Sequence, residues 1–346
     1  MARIVVAGAG AVGASIAYHL ALPGTDDEIV LCDREGVASG ATGKAMGGVR
    51  QQFSTEPEVR LAQASAKFFA GLGPPLFEQV GYLFLATTEQ GLAELQERRR
   101  LQVELGVPVE AVDPAFVEGL RTDDVLGAVI CREDGVADPV VVTRHLVQEA
   151  TSRGVTFMSD TDARELASDV LVVACGAAST DLIDVPVRPL VRQLVDTEPV
   201  PGLPDRLPMT IEGENGFHFR RVGDGLRLAM TEPTARWGTD EVVDWELVGD
   251  WLGRLGHRYP RAAGVGVERA WAGLYDMTPD AHPIIGWIEE GVYAACGFSG
   301  HGFMQAPAVG AAVAEELLVG KSSFDLSPYR PERFAGDVVF PETLVL

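Results

Sequence analysis

The chain has 346 residues, of which 47% are hydrophobic, and its 28 basic and 50 acidic residues give a formal net charge of −22. This length suggests two domains, and the charge argues against nucleic acid or an anionic membrane surface as a partner. No apolar stretch approaches the ~18 residues of a membrane span, and we expect no secretory signal. The four cysteines are scattered, without the spacing of a zinc site or a redox dithiol, so we expect a cytoplasmic protein without a metal site.

The N-terminal segment predicts a dinucleotide-binding unit. A strand over residues 4–7 enters a Gly-rich turn that opens a helix, and a second strand ends at Asp33. Gly8 permits the tight turn, Gly10 lets the backbone approach a pyrophosphate, and Gly13 lets helix and strand pack closely. Asp33 lies 20 residues after Gly13 (33 − 13), where a carboxylate accepts hydrogen bonds from an adenosine ribose and repels the 2′-phosphate of NADP. Taken alone, this unit leaves NAD and FAD as alternatives.

Helices and strands alternate through the rest of the chain. Apolar spacing predicts a helix over residues 57–72, a strand over 81–86 and a helix over 89–105. Asp138 as the N-cap and Pro139 as the first helical residue predict another helix, which ends before the next glycine.

The second half of the chain returns to the first sheet. An apolar run over residues 169–176 predicts a buried parallel strand beside residues 4–7, so the nucleotide-binding domain must be discontinuous. Residues 187–233 alternate like antiparallel strands, and residues 242–259 predict an amphipathic helix. The last predicted elements are a strand over 292–296 and a helix over 308–318.

Two further glycine-rich stretches could lie against a ligand. Residues 39–53 combine small residues with Ser39 and Thr42, whose hydroxyls can bond phosphate oxygens. Residues 297–303 lead into a helix, and their amides could face the negative charge of a reduced flavin. A solvated loop and an ordinary strand-to-helix turn are the alternative interpretations.

Together with the N-terminal unit, these stretches resemble the D-amino acid oxidase superfamily of FAD enzymes. The most similar branch contains sarcosine oxidase, dimethylglycine dehydrogenase and the β-subunit of L-proline dehydrogenase. The motifs that carry the resemblance follow family order along nearly the whole chain. They are residues 8–13 with Asp33, 39–53, 169–176, 278–280 with 283–286, and 297–303.

The resemblance implies FAD rather than NAD, held noncovalently. Some sarcosine oxidases attach the flavin through a cysteine just before a Leu-Tyr pair, and here Gly273 holds that position. The expected cofactor-binding residues are Gly8, Gly10, Ala11, Val12, Gly13, Asp33, Arg34, Ser39, Thr42, Lys44, Ala45, Gly47, Gly48, Ala174, Gly176, Gly273, Gly297, Gly300, His301, Gly302, Phe303 and Met304.

The resemblance also suggests catalytic side chains. Arg50 is expected to hold a substrate carboxylate in bidentate fashion, with a surface arginine as the alternative. Tyr275, His218 and His301 are the polar candidates for assisting deprotonation of the substrate, and each has a structural alternative.

Three departures from the family pattern stand out. Relatives carry a carboxylate-binding lysine where this chain has Met304. The lysine that assists oxygen reduction in oxidases corresponds to Arg227, whose charge could favour superoxide or serve a structural salt bridge. Residues 154–169 are too few for the antiparallel meander that relatives place there, which affects contacts on the adenine side.

The expected fold class is α/β, with a Rossmann-type FAD-binding domain and an inserted α+β substrate domain built on a mainly antiparallel sheet. The expected boundaries are residues 1–78, 139–186 and 268–330 for the FAD-binding domain, 79–138 and 187–267 for the substrate domain, and 331–346 for a C-terminal tail.

The resulting hypothesis is oxidation of the C–N bond of an amino acid, of the sarcosine, dimethylglycine or proline type, by hydride transfer to flavin N5. The electron acceptor is oxygen or a partner protein. A first alternative is the flavin subunit of a hetero-oligomeric dehydrogenase that passes electrons to partner subunits, and a homo-oligomer is also open. A remote alternative is an NAD-linked dehydrogenase.

Overall fold

The apolar runs and capped segments of the sequence form strands and helices close to the expected positions. The computed structural model describes residues 1–336 and 341–345. The strands are β1 Arg3–Ala7, β2 Glu28–Cys32, β3 Gly48–Val49, β4 Tyr82–Ala86, β5 Val109–Ala111, β6 Gly127–Cys131, β7 Gly135–Val136, β8 Thr156–Met158, β9 Val170–Val173, β10 Arg188–Thr197, β11 Met209–Glu212, β12 His218–Val222, β13 Gly225–Ala229, β14 Arg236–Trp237, β15 Val267–Met277, β16 Ile284–Glu289 and β17 Val292–Cys296. The helices are α1 Ala11–Ala21, α2 Glu56–Leu72, α3 Glu89–Glu104, α4 Pro139–Ser152, α5 Trp245–Arg258 and α6 Gly302–Val319.

The N-terminal strand lies inside a largely parallel sheet, because its apolar side chains are buried on both faces. The strand order is β16-β17-β9-β1-β2-β8. Val6 pairs with Leu31 of β2 on one side and with Val172 of β9 on the other, both in parallel register. The strand expected within residues 169–176 therefore lies beside residues 4–7, as predicted. β16 joins the edge in antiparallel orientation.

The second large sheet, expected to be mainly antiparallel, is mixed: among the described residues seven of its eight strand pairings are antiparallel and one is parallel. Its order is β14-β10-β13-β12-β11-β4-β6-β5, and β15 also pairs with β10. β4 and β11 run parallel, with Leu83 opposite Thr210. The expectation missed this pairing because it considered the strands of residues 187–233 as a set and did not join them to the separate strand over 81–86.

Alternation along β4 places its two faces against different layers. Leu83 and Leu85 pack with Trp251 of α5, whereas Tyr82 and Phe84 pack with Met209 and the residues of α2. Because both faces are covered, β4 is buried at every position. The face that carries Tyr82 turns toward the parallel sheet, and the functional site forms between the two.

Side-chain caps fix the helix starts that the sequence predicted best. The Asp138 carboxylate accepts the N–H groups of Val140 and Val141 (2.9 and 3.1 Å) at the start of α4. α5 begins at Trp245, three residues later than expected (245 − 242), because Asp244 caps it in the same way.

α6 begins at Gly302, six residues before the predicted start (308 − 302), and contains Pro307 within the helix. The expected domain boundaries stay a prediction, although β15 pairs with β10 of the mixed sheet. Of the expected tail, residues 337–340 and 346 lie outside the described residues. Across the described part of the chain, the helices fall short of the length and apolar character that membrane crossing requires.

α1 and α6 cross so closely that Gly310 tolerates no side chain. A Cβ built there would lie 2.3 Å from the Ser15 hydroxyl oxygen and 2.7 Å from its carbonyl oxygen. We therefore expect Gly310→Ala to destabilise the protein by about 1–3 kcal/mol, since the helices must move apart. Thermal denaturation measures the effect.

Gly249→Ala is the matched control, because Gly249 lies on an exposed turn of α5 with open space around its Cβ position. It should leave stability unchanged or raise it by up to about 1 kcal/mol through helix propensity. Equal losses in the two variants would contradict the close crossing of α1 and α6.

Candidate active site

A cavity of about 570 Å³ lies between the carboxyl ends of the parallel strands and one face of the mixed sheet. It is the kind of place, outside the ends of parallel strands, where α/β proteins bind ligands. The predicted cofactor stretches line it, together with Arg50, His218, Tyr275 and His301. The structure does not bring Gly13, Gly297 or Arg227 to its wall.

The Gly-rich turn is shaped by backbone contacts. Gly8 has a φ of +100°, and a Cβ there would lie 2.4 Å from the carbonyl oxygen of Ala174. A Cβ at Gly13 would lie 1.9 Å from the Gly8 carbonyl oxygen. Gly13 thus allows α1 to approach the turn without lining the cavity, which agrees with the packing role expected for the third glycine.

The end of β2 and the following stretch organise the nucleotide end of the cavity. The Asp33 carboxylate accepts the N–H of Ala9 (2.8 Å) and of Gly36 (2.9 Å) while lining the cavity. The Thr42 hydroxyl oxygen accepts the N–H of Ala11 (3.0 Å) at the start of α1. Both side chains hold the turn in place, and each retains hydrogen-bonding capacity toward a ligand.

The second glycine-rich stretch, residues 39–53, is held by contacts at several points. Lys44 forms an ion pair with Glu241, from the loop before α5, and both residues line the cavity. The Lys44 side chain also packs over Gly273, where a Cβ would meet the Lys44 Cβ at 3.0 Å. At Gly48 a Cβ would lie 1.7 Å from the Tyr82 hydroxyl oxygen, so the strand passes directly against the mixed sheet.

Arg50 is buried, with 1% of its surface exposed, and its terminal nitrogens bind main-chain carbonyls. One donates to the carbonyl of Gln52 and the other to the carbonyl of Leu344 (2.7 Å). The guanidinium lies over the Phe53 ring, with its carbon 4.0 Å from the ring centre. Arg50 therefore ties the second glycine-rich stretch to the C-terminal segment.

Asp134 explains why two glutamines follow Arg50. Its carboxylate accepts the backbone and side-chain N–H groups of Gln51 (3.0 and 3.1 Å) and the side-chain N–H of Gln52 (3.1 Å). Burial raises the pKa of Asp134 to about 6, although these hydrogen bonds oppose the shift. Residues 49–53 are thus buried and held by hydrogen bonds, and they do not form a solvated loop.

The third glycine-rich stretch, residues 297–303, places His301 and Gly300 in the wall of the cavity. The His301 ring meets the Phe53 ring edge-on, with centres 5.0 Å apart. Its Nδ1 is buried without a hydrogen-bond partner among the described residues. Burial, and then the charge of Arg50, hold the pKa of His301 well below its usual range. Gly300 lies against the ring of Tyr275, since a Cβ there would be 2.4 Å from the ring.

His218 and Arg192 meet the cavity from the mixed sheet. The His218 Nδ1 donates to the carbonyl of Gly216 (2.7 Å), so its Nε2 carries no proton while the ring is neutral. Burial, followed by the charges of Arg50 and Arg192, lowers the pKa of His218 to about 4. The Arg192 guanidinium carbon lies 5.8 Å from the centre of the Tyr275 ring.

Arg227 is paired elsewhere. Its guanidinium binds both carboxylate oxygens of Asp196 (2.7 and 2.9 Å) and lies 4.8 Å from the centre of the Trp271 ring. The cation that the resemblance placed near the flavin is therefore paired with an acid on the neighbouring strand, and Arg269 shares that acid.

Sequence reasoning missed Arg192, Asp134 and Asp276. Asp276 lines the cavity, accepts the N–H of Gly297 (2.8 Å), and burial raises its pKa to about 6. Charged residues inside otherwise apolar strand segments, as at Arg192 and Asp276, are the signal that could have identified two of them. The short segment before β9 contains β8, which pairs with β2, and Thr161 and Asp162 after it line the cavity.

Comparison with known proteins identifies the class. Residues 3–316 match the family model described as DAO, FAD dependent oxidoreductase, so the chain belongs to this family. The structure superposes on L-proline dehydrogenase from P. horikoshii with a TM-score of 0.89, 28% identity and coverage of 96% of this chain and 98% of that one. The chain is an FAD-dependent oxidoreductase, and of the two cofactors left open by the N-terminal unit, FAD is the one it uses.

Two curated relatives show how far the similarity extends. FAD-dependent oxidoreductase domain-containing protein 1 of Bos taurus is 29% identical, with 96% of this chain and 84% of the relative aligned. The 4-methylaminobutanoate oxidase (formaldehyde-forming) of Paenarthrobacter nicotinovorans is 26% identical, and the chain, aligned over 96% of its length, spans 46% of it.

The residues of the cavity fit FAD. The N-terminus of α1, with its partial positive charge, suits the pyrophosphate, and Asp33 suits the adenosine ribose. The unpartnered Nδ1 of His301 and the backbone near Gly47 and Gly300 meet the other end of the cavity. Gly273 offers no side chain for a covalent link to the flavin.

We expect Gly8→Ala to lose FAD, because the methyl group would collide with the Ala174 carbonyl at a position that already needs a positive φ. The affinity for FAD should fall at least about tenfold, or roughly 1.4 kcal/mol. The ratio of flavin to protein absorbance after dialysis measures it. Gly24→Ala is the control, since Gly24 has a φ of +70° but open space around it. Loss of FAD from both variants would mean that backbone strain, and not the collision, is responsible.

His218 should make the fold less stable as the pH falls. Between its ordinary pKa of 6.5 and about 4, the unfolded chain binds a proton that native His218 does not, so unfolding becomes easier at lower pH. The contribution is fully present above 6.5. Between about pH 8 and about pH 5, we expect the melting temperature of His218→Gln to fall by less than that of the wild type. His145→Gln, in α4, is the control, and identical pH dependence in all three proteins would contradict the buried neutral state of His218.

Proposed function

We propose that the protein oxidises the C–N bond of an amino acid, with a secondary or N-methylated amine as the preferred substrate. The observation that carries the proposal is a pair of arginines, the buried Arg50 and the half-buried Arg192, at the end of the cavity away from the nucleotide turn. Neither has an ion-pair partner among residues 1–336 and 341–345. Both line the same cavity as His218, and the charges of both lower the pKa of His218.

Such charge in a buried place suits a ligand with a carboxylate. A protein with a net charge of −22 does not attract an anion from a distance, so local cations must supply the binding energy. A simple amine without a carboxylate would gain nothing from the arginines. The cavity is continuous with the FAD cradle, so a carboxylate held here would place its neighbouring carbon and nitrogen within the same enclosed space.

FAD, when bound, supplies the acceptor for the hydride that leaves the carbon of the C–N bond. The chain contributes binding, orientation and proton handling. His218 Nε2 is an unprotonated acceptor in the cavity wall, and the hydroxyl-bearing ring of Tyr275 lies between Gly300 and Arg192. His301 stays neutral beside Arg50, and we assign it to holding Phe53 and the start of α6. The names of two relatives, L-proline dehydrogenase and 4-methylaminobutanoate oxidase, support a secondary or N-methylated amine.

A second candidate is the flavin subunit of a larger dehydrogenase. The pairing of Arg227 with Asp196 favours it, because the position that carries an oxygen-activating lysine in oxidases holds an ion-paired arginine here. In this case electrons leave to a partner protein rather than to oxygen.

The test is a substrate panel on purified holoenzyme without oxygen. Sarcosine, dimethylglycine, L-proline, glycine and D-amino acids are each mixed with the enzyme, and loss of the visible flavin absorbance is followed. We expect at least one secondary or N-methylated amino acid to bleach the flavin, and faster than glycine. Failure of every amino acid to do so would reject the proposal.

The reduced enzyme then separates the two candidates. Rapid return of the flavin colour with oxygen indicates an oxidase. Slow return with oxygen and fast return with an artificial dye indicates a dehydrogenase, and gel filtration after native purification shows whether partner subunits are attached.

A further inference from the structure

Arg192 differs from Arg50 in what surrounds its donors. Its Nε and Nη1 are buried and have no hydrogen-bond partner among the described residues. Buried polar groups are almost always paired, and an unpaired donor costs about 1–3 kcal/mol. A guanidinium cannot shed its proton to relieve that cost. Donors left open in the wall of a cavity therefore point to an acceptor that arrives with a ligand.

The strand pairing aims Arg192 at the cavity. Arg192 of β10 lies opposite Gly273 of β15, and both line the cavity. Directly opposite residues of an antiparallel pair project to the same face, and Gly273 has no side chain to fill that space. Tyr275, two residues further along β15, shares this face and places its ring beside the guanidinium.

Arg50 has less capacity to bind an anion. Its two terminal nitrogens already donate to the carbonyls of Gln52 and Leu344, and its guanidinium is held against the Phe53 ring. Its charge still acts on the site, but of its donor nitrogens only Nε lacks a hydrogen-bond partner among the described residues, whereas Arg192 has two such nitrogens. Arg192 can therefore provide the hydrogen bonds to a substrate carboxylate that were expected of Arg50.

We propose that Arg192, on β10 of the mixed sheet, binds the carboxylate of the substrate, while Arg50 adds positive charge and anchors the C-terminal segment. This rests on the proposed function only in taking the ligand to be an amino acid. A carboxylate would give the open donors of Arg192 the charged acceptor they lack, in hydrogen bonds stronger than those between neutral groups.

The test uses acids in which oxygen replaces the amine nitrogen, so that they keep the carboxylate but have no C–N bond to oxidise. Methoxyacetate and tetrahydrofuran-2-carboxylate correspond to sarcosine and proline. Each is titrated into the holoenzyme, and the change of the flavin spectrum gives a Kd. We expect Arg192→Met to weaken binding by about tenfold to a hundredfold, as for loss of a charge-assisted hydrogen bond, and Arg192→Lys to weaken it less.

Arg188→Met is the matched control. Arg188 lies on the same strand four residues earlier (192 − 188), is exposed, and places its guanidinium carbon 4.3 Å from the centre of the Trp237 ring, away from the cavity. It should bind both acids as the wild type does. FAD content and melting temperature show whether each variant is folded and loaded.

Several results would overturn the proposal: unchanged Kd values in Arg192→Met, equal weakening in Arg188→Met, no binding of either acid to the wild type, or weakening by Arg50→Lys alone. With an amino acid that the enzyme oxidises, Arg192→Met should raise KM far more than it lowers kcat.

The two proposals fail in different ways. If no amino acid bleaches the flavin but the acids bind in an Arg192-dependent manner, the proposed function fails and the carboxylate site stands. If amino acids bleach the flavin with equal KM in the wild type and Arg192→Met, the function stands and the assignment of Arg192 is wrong.

Discussion

The structure depends first on the backbone contact at Gly8. Here the end of β1, the start of α1 and the end of β9 meet so closely that Gly8 and Gly13 have no room for a side chain. This contact joins residues near the N-terminus to Ala174, across the intervening helices and strands. It sets the depth of the turn in which the FAD pyrophosphate is expected, and Asp33 and Thr42 then hold the rim of the turn by accepting backbone N–H groups. A shift of β9 would therefore change the cofactor site and the sheet together.

The other end of the cavity follows a different principle. The nucleotide end uses backbone N–H groups, whereas the far end uses side-chain charge from a second sheet. Arg50 arrives from the stretch after β3 and Arg192 from β10, and the mixed sheet brings them together around His218. Placing two cations in one cavity without an acidic partner is unfavourable. Arg50 is held there because it donates to the carbonyls of Gln52 and Leu344, and because Asp134 fixes the backbone of the following residue.

Features that depend on neighbouring residues could be predicted from the sequence. The Gly8 turn, Asp33 and the cap of α4 by Asp138 each follow from a short pattern with its own physical cause. Features that depend on distant segments could not. The parallel pairing of β4 with β11 joins two separate parts of the chain, and the ion pair of Lys44 with Glu241 needs the loop before α5 to fold over the cavity. Arg192 and Arg227 have the same side chain on neighbouring strands of one sheet. Only the structure shows that Arg227 pairs with Asp196, whereas two donor nitrogens of Arg192 have no partner among the described residues.

The charges at the substrate end also bear on the protonation of the substrate. An amino acid in water carries an ammonium group, which cannot release hydride until it has lost a proton. Two cations near the bound ligand stabilise its carboxylate and lower the pKa of the ammonium group beside it. His218 faces the same space as a neutral acceptor, because burial and the arginines keep its pKa at about 4. Its weak basicity suits a hydrogen bond to the amine better than permanent removal of the proton, which must pass to solvent. In the proposed function, therefore, Arg192 holds the carboxylate, and the charges of both arginines favour the neutral amine from which hydride can leave.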